Sequence, residues 1–104
     1  MSNPFLDADR EVKEKSRQGT KEPRRYKVFL LNDNYTTMEF VVEILRDIFR
    51  KSNMDATRIM LHVHRNGKGL AGVYSKEIAE TKIQQVHSRA REAGFPMKCG
   101  MEKE

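Results

Sequence analysis

Residues 26–45, YKVFLLNDNYTTMEFVVEIL, carry the change of hydrophobic period on which the fold turns. Tyr26 to Leu31 is a β-rich run, and Asn32, Asp33 and Asn34 close it, because short polar side chains bond nearby backbone and favour turns. Thr36 followed three residues later by Glu39 has the pattern of a capping box, so a helix is expected to begin there. At about 100° per residue, Met38, Val41, Val42, Leu45, Ile48 and Phe49 share one face, and Glu39, Glu43, Arg46, Asp47 and Arg50 line the other. Phe40 falls outside this arc and is expected to cover the preceding arm or another part of the surface.

Towards the C-terminus, Asp55 is the expected cap of a second helix in which Ala56, Ile59, Met60 and Val63 recur at helical spacing. Asn66 and Gly67 should end it, since glycine readily adopts the left-handed conformation of a C-terminal cap. LAGVY, after Gly69, reads as a short strand. Ser75 then caps a third helix lined by Ala79, Ile83, Val86, Ala90 and Ala93, which Gly94 and Pro96 terminate. In MKCGMEKE, Met97, Cys99 and Met101 alternate with polar neighbours, as in a strand with one buried face. The order β-α-α-β-α-β with strands this short excludes a doubly wound parallel sheet. It predicts an α+β fold, a small three-stranded antiparallel sheet packed against three helices.

Towards the N-terminus, residues 1–25 have Met1, Phe5, Leu6, Ala8 and Val12 as their only apolar side chains other than proline, and are expected to form a flexible arm ahead of a core domain at 26–104. With 104 residues, 38% of them hydrophobic, the chain has room for one small domain. It contains neither a run long enough to span a bilayer nor the apolar segment of a signal peptide, so a soluble, cytoplasmic protein without a membrane partner is expected. A single cysteine, Cys99, cannot form an internal disulfide and is expected to be a packing residue.

The net charge of +5 raises the alternative of a small basic RNA- or ribosome-associated module. The placement of the charges weighs against it. Residues 1–25 hold seven Lys or Arg and five Asp or Glu, leaving thirteen and ten for the remainder, and no run of five basic residues occurs. A mixed, solvated surface without a nucleic-acid partner is expected.

Enzyme signatures are missing: the sequence has no Gly-rich phosphate loop, no CxxC pair and no nucleophile elbow. His62 and His64 are two residues apart, which on a helix points their rings roughly 200° apart and excludes joint metal chelation. No metal or cofactor is expected. His87 lies off the apolar stripe of the third helix and is expected to be solvated. His64 is different, lying one helical turn after Met60 at the edge of the apolar face. Met38, Met60 and Met97 stand at the starts or edges of elements, and methionine suits adaptable apolar pockets.

The run YKVFLLNDNYTTMEFVVEIL, then IMLHVHRNGKGLAGVYSKEIAETKI and FPMKCGMEKE, resembles the ClpS family of adaptor proteins throughout residues 26–104. The resemblance rests on the Asn-Asp turn before T-x-MEFVV, the ML-x-VH helix end, the GVYS-x-E-x-AETK helix start and the terminal P-x-x-C-x-x-E. It implies a non-catalytic receptor. Such adaptors bind N-degron proteins and peptides whose free first residue is Leu, Phe, Tyr or Trp, and hand them to the N-terminal domain of a ClpA-type AAA+ unfoldase in the ClpAP protease. Family members are expected to act as monomers.

Carried over by position, the resemblance assigns Asn32, Asp33, Asn34 and His64 to the α-amino group. Thr36, Met38, Val41, Met60, Val63 and Met97 would surround the side chain, and Glu77 and Lys82 would face the unfoldase. The chemistry agrees, because an N-terminal ammonium brings three donors and needs acceptors, which amides, a carboxylate and a neutral imidazole supply. A hydrophobic cavity then discriminates first residues by size, at about 1 to 3 kcal/mol for poor filling. Three positions depart from the family pattern. Asn34 stands where an acid is usual, implying weaker amine affinity or more dependence on Asp33; Thr37 replaces a common Pro; Met97 replaces Leu, implying a reshaped pocket.

Overall fold

The computed structural model describes residues 24–104. Strand β1 (Arg25–Leu31) is followed by helices α1 (Met38–Asp47) and α2 (Asn53–Asn66), strand β2 (Lys68–Ser75), helix α3 (Lys76–Ala93) and strand β3 (Lys98–Lys103). The expected order is observed. The arm expected over residues 1–25 lies almost wholly outside the described residues. Arg25 itself belongs to the domain, because it opens β1 opposite Ser75 and its Nε lies 2.8 Å from Glu104 Oε1.

The sheet runs in the order β2-β1-β3, antiparallel throughout. Between Val28 and Phe29 the β1–β2 register slips by one, leaving Ala71 as the extra residue of a bulge. Val28 and Leu30 point to the helical layer and are fully buried, whereas Leu31 and Leu70 remain exposed. α1 packs on α2, α2 on β2, and α3 crosses all three strands. The core joins Val28 and Leu30 to Ile44, Leu45, Ala56, Met60, Val63, Ala79, Val86 and Cys99. Burial pushes the Cys99 thiol up to about 12, so it stays protonated and packs as a small apolar group.

Four local expectations change. The N-cap of α1 is Thr37, whose hydroxyl accepts from Phe40 N–H, because the Thr36 hydroxyl is engaged by Asp33. The cap of α2 is Ser52, which accepts from Asp55 N–H, so Asp55 sits in the first turn and pairs with Arg58. Phe40 is 7% exposed and packs on Phe95 with ring centroids 4.9 Å apart. The buried stripe of α1 therefore runs through Phe40, Ile44 and Leu45, leaving Met38 at 45% exposure on the other edge. Periodicity located an apolar arc but could not foresee that the segment after α3 would bring an aromatic ring over its far side. His87 is half-buried, and its Nε2 accepts the Cys99 backbone N–H at 3.1 Å. Gly67 at φ 87° and Gly94 at φ 82° end α2 and α3 as expected, and Ser75 caps α3.

Candidate functional site

A cavity of about 200 Å³ opens where the turn after β1 meets the first turn of α1 and the last two turns of α2. Asn32, Asp33, Asn34 and Thr36 line it from the turn, Met38 and Val41 from α1, and Met60, Val63 and His64 from α2. The lining combines two kinds of chemistry, the amides, carboxylate and imidazole of Asn32, Asn34, Asp33 and His64 and the thioethers and valines of Met38, Met60, Val41 and Val63.

The local sequence explains the arrangement. Met60, Val63 and His64 recur at i, i+3 and i+4, so they share one side of α2; Met60 and Val63 are buried and His64 is exposed. His62 points elsewhere, and Asn66 Nδ2 lies 3.1 Å from its Nδ1. The last turn of α2, which carries His64, is tied to the turn after β1 by Asn32 N–H donating to Gly67 O at 2.9 Å. Gly67 makes this clasp possible by taking the left-handed cap conformation. Close behind the wall, a Cβ at Gly69 would lie 2.6 Å from Val63 Cγ2, so β2 can approach α2 only with glycine there. The sequence signals for these two supports were a cap and a strand boundary, with nothing to mark them as parts of a site.

Asp33 organises the turn. Its Oδ1 accepts from Tyr35 N–H at 2.8 Å and Thr36 N–H at 2.7 Å, and its Oδ2 accepts from Thr36 Oγ1 at 2.7 Å. Burial pushes the carboxyl up, but the bonds from Thr36 and Tyr35 together outweigh it and hold the group below the usual carboxylate range. The site therefore carries a negative charge at neutral pH, next to the C-terminus of α2, where the helix dipole also favours a cation.

Met97 is not brought to this lining. It is buried at the entry to β3 and lines a separate depression with His87, Ala90, Arg91, Phe95, Pro96 and Lys98. Glu77 is exposed in the first turn of α3. Lys82 is half-buried; its Nζ donates to Ile48 O at 2.7 Å and lies 5.2 Å from the centre of the Tyr74 ring. It thus binds the end of α1 to α3, whatever else it touches. Among the described residues, no helix is long and apolar enough to cross a membrane.

Residues 21–100 match the family model described as ATP-dependent Clp protease adaptor protein ClpS. An ATP-dependent Clp protease adapter protein ClpS from Maricaulis maris is 62% identical over 90 residues, spanning 86% of this chain and 83% of that one. One from Burkholderia cenocepacia is 50% identical over 95 residues, 91% of each chain. The structure of Agrobacterium tumefaciens ClpS2 bound to L-phenylalaninamide superposes with a TM-score of 0.77 at 42% identity, covering 80% of this chain and 100% of that one. The chain belongs to the ClpS family, the adaptor proteins of the ATP-dependent Clp protease.

Proposed function

We propose that this adaptor recognises proteins by a free N-terminal Leu, Phe, Tyr or Trp and delivers them to a ClpA-type unfoldase of the Clp protease. The observation that carries the reading is the mixed lining of one cavity, where two amides, a carboxylate and an imidazole stand with methionines and valines. An α-amino group and the first side chain leave the same Cα, so a free N-terminal residue presents a cation and an apolar group together, as this lining requires. L-Phenylalaninamide, bound by the Agrobacterium tumefaciens neighbour, is such a molecule, with a free α-amine and a benzyl group.

Asn32, Asp33, Asn34 and His64 form the end that receives the ammonium, and an acetylated terminus offers it too few donors and no charge. Thr36, Met38, Val41, Met60 and Val63 enclose the side chain, with two methionines able to adjust to aromatic or branched groups. Met38 lies on the exposed rim, while Met60 is packed in the core. Glu77, in the first turn of α3, is the charge offered to the unfoldase; Lys82 supports that surface from beneath.

Fluorescence polarisation with peptides beginning in Leu, Phe, Tyr, Trp, Ile, Arg or acetyl-Leu tests recognition. The four named free termini bind, and the acetylated peptide does not. Equal binding of free and acetylated Leu peptides would refute the reading. Degradation of a Leu-initial reporter by a ClpA-containing protease tests delivery, which Glu77→Arg should slow without changing peptide affinity.

A further inference from the structure

We propose that Asp33 is a positioning residue, whose carboxylate staples the Asn32–Asn34 turn so that the N-terminal amine is held by the uncharged acceptors of Asn32, Asn34 and His64. This deepens the reading of the cavity as an N-terminus receptor and rests on it. Three of the roughly four acceptor positions of the Asp33 carboxylate are taken by its own loop, two by backbone N–H groups and one by the Thr36 hydroxyl. These bonds are 2.7 to 2.8 Å long, in the range of charge-assisted hydrogen bonds, so a ligand would have to compete with them.

The neighbouring groups are in the opposite condition. Asn32, Asn34 and His64 all line the cavity and are exposed, and among the described residues none of their side chains makes a hydrogen bond. Two amide oxygens and one imidazole nitrogen provide three acceptors for the three N–H groups of an ammonium. Asp33 contributes the shape of the turn and a background negative charge. In this arrangement the site reads the number of donors more than their charge.

The assignment separates turn geometry from charge. Asp33→Asn keeps an oxygen that can accept from the Tyr35 and Thr36 N–H groups while removing the charge. Asp33→Glu keeps the charge but moves the carboxylate off those donors. With a Leu-initial peptide in fluorescence polarisation, Asp33→Asn should cost about threefold or less, while Asp33→Glu and Asp33→Ala each cost about tenfold or more. Thr36→Val should weaken binding a few fold, and Thr36→Ser should restore it, a rescue that holds the test open if Asp33→Ala fails to fold. An Asp33→Asn variant as weak as Asp33→Ala, beside an Asp33→Glu variant that still binds, overturns the assignment and makes the carboxylate the direct partner of the amine. Full activity of Thr36→Val also overturns it. If the unaltered protein binds acetyl-Leu peptide as tightly as the free amine, the receptor reading itself falls, an outcome distinct from either.

Discussion

Among the described residues, the concavity beside His64 and Met60 and the one beside His87 and Met97 are built from similar parts. Each places a histidine and a methionine where a helix ends near a strand. The difference lies in what has claimed the polar atoms. At the first, the His64 ring nitrogens are uncommitted among the described residues and stand beside amides and a carboxylate. At the second, Cys99 N–H occupies His87 Nε2, and the neighbouring charges are the cations Arg91 and Lys98. A histidine whose lone pair the fold leaves free can accept from a ligand, whereas one whose lone pair the backbone takes is structural.

The methionines provide the largest test of that contrast. Met60→Ala and Met97→Ala each remove a buried side chain, and each should lower unfolding free energy by about 2 to 4 kcal/mol in urea titrations. They should differ in specificity. Met60→Ala enlarges the cavity and admits peptides beginning with β-branched residues, while Met97→Ala leaves the ranking of first residues unaltered. A changed ranking in the Met97 variant would return that residue to the pocket wall.

The histidines come next. Removing His64 takes away one acceptor for a cationic ligand, worth about 1.5 to 3 kcal/mol, so His64→Ala should weaken Leu-peptide binding about ten- to hundredfold, with little change in melting temperature. His87→Ala should do the reverse, costing about 1 to 2 kcal/mol of stability by leaving Cys99 N–H without its partner while peptide affinity is retained. Gly69→Ala lies between the two classes, because its Cβ meets Val63. It should reduce affinity for the larger aromatic termini more than for Leu, measured with the same peptide set.

The smallest expected effect is on pH dependence. Burial, reinforced by Lys98 and Arg91, holds His87 below the ordinary histidine range. The unfolded chain therefore binds the proton more readily than the folded one, and stability falls as pH drops from about 7 into the window between the unfolded and folded values. His87→Gln, which can still accept from Cys99 N–H, should flatten that fall in melts between pH 7 and pH 5. An unchanged profile would place the acid sensitivity elsewhere.

Much of this organisation was legible in local pattern. The switch of period at Asn32, the glycine stops at Gly67 and Gly94, and the i, i+3, i+4 spacing of Met60, Val63 and His64 depend on residues a few positions apart, where backbone geometry leaves few choices. The gathering of Asn32 and His64 in one cavity lining was reached only through family resemblance, because the two lie more than thirty residues apart in sequence. Phe40 and His87 were misplaced by local pattern for the same reason, whereas Met97, read as part of a buried strand face, is buried. Phe40 is buried by Phe95, Met97 turns to the depression beside α3, and His87 is claimed by Cys99 from a strand yet to come.

The sequence by itself determined where the strands and helices lie, which faces are apolar and that no familiar catalytic motif is present. Tertiary structure alone decided which polar atoms remain free. Hydrogen bonds are claimed by whichever partner the packing brings within about 3 Å, a distance set by the whole fold rather than by the neighbours of each residue. Thus the Asp33 carboxylate and the His87 ring are both hydrogen-bonded within the protein, while among the described residues the His64 ring is not.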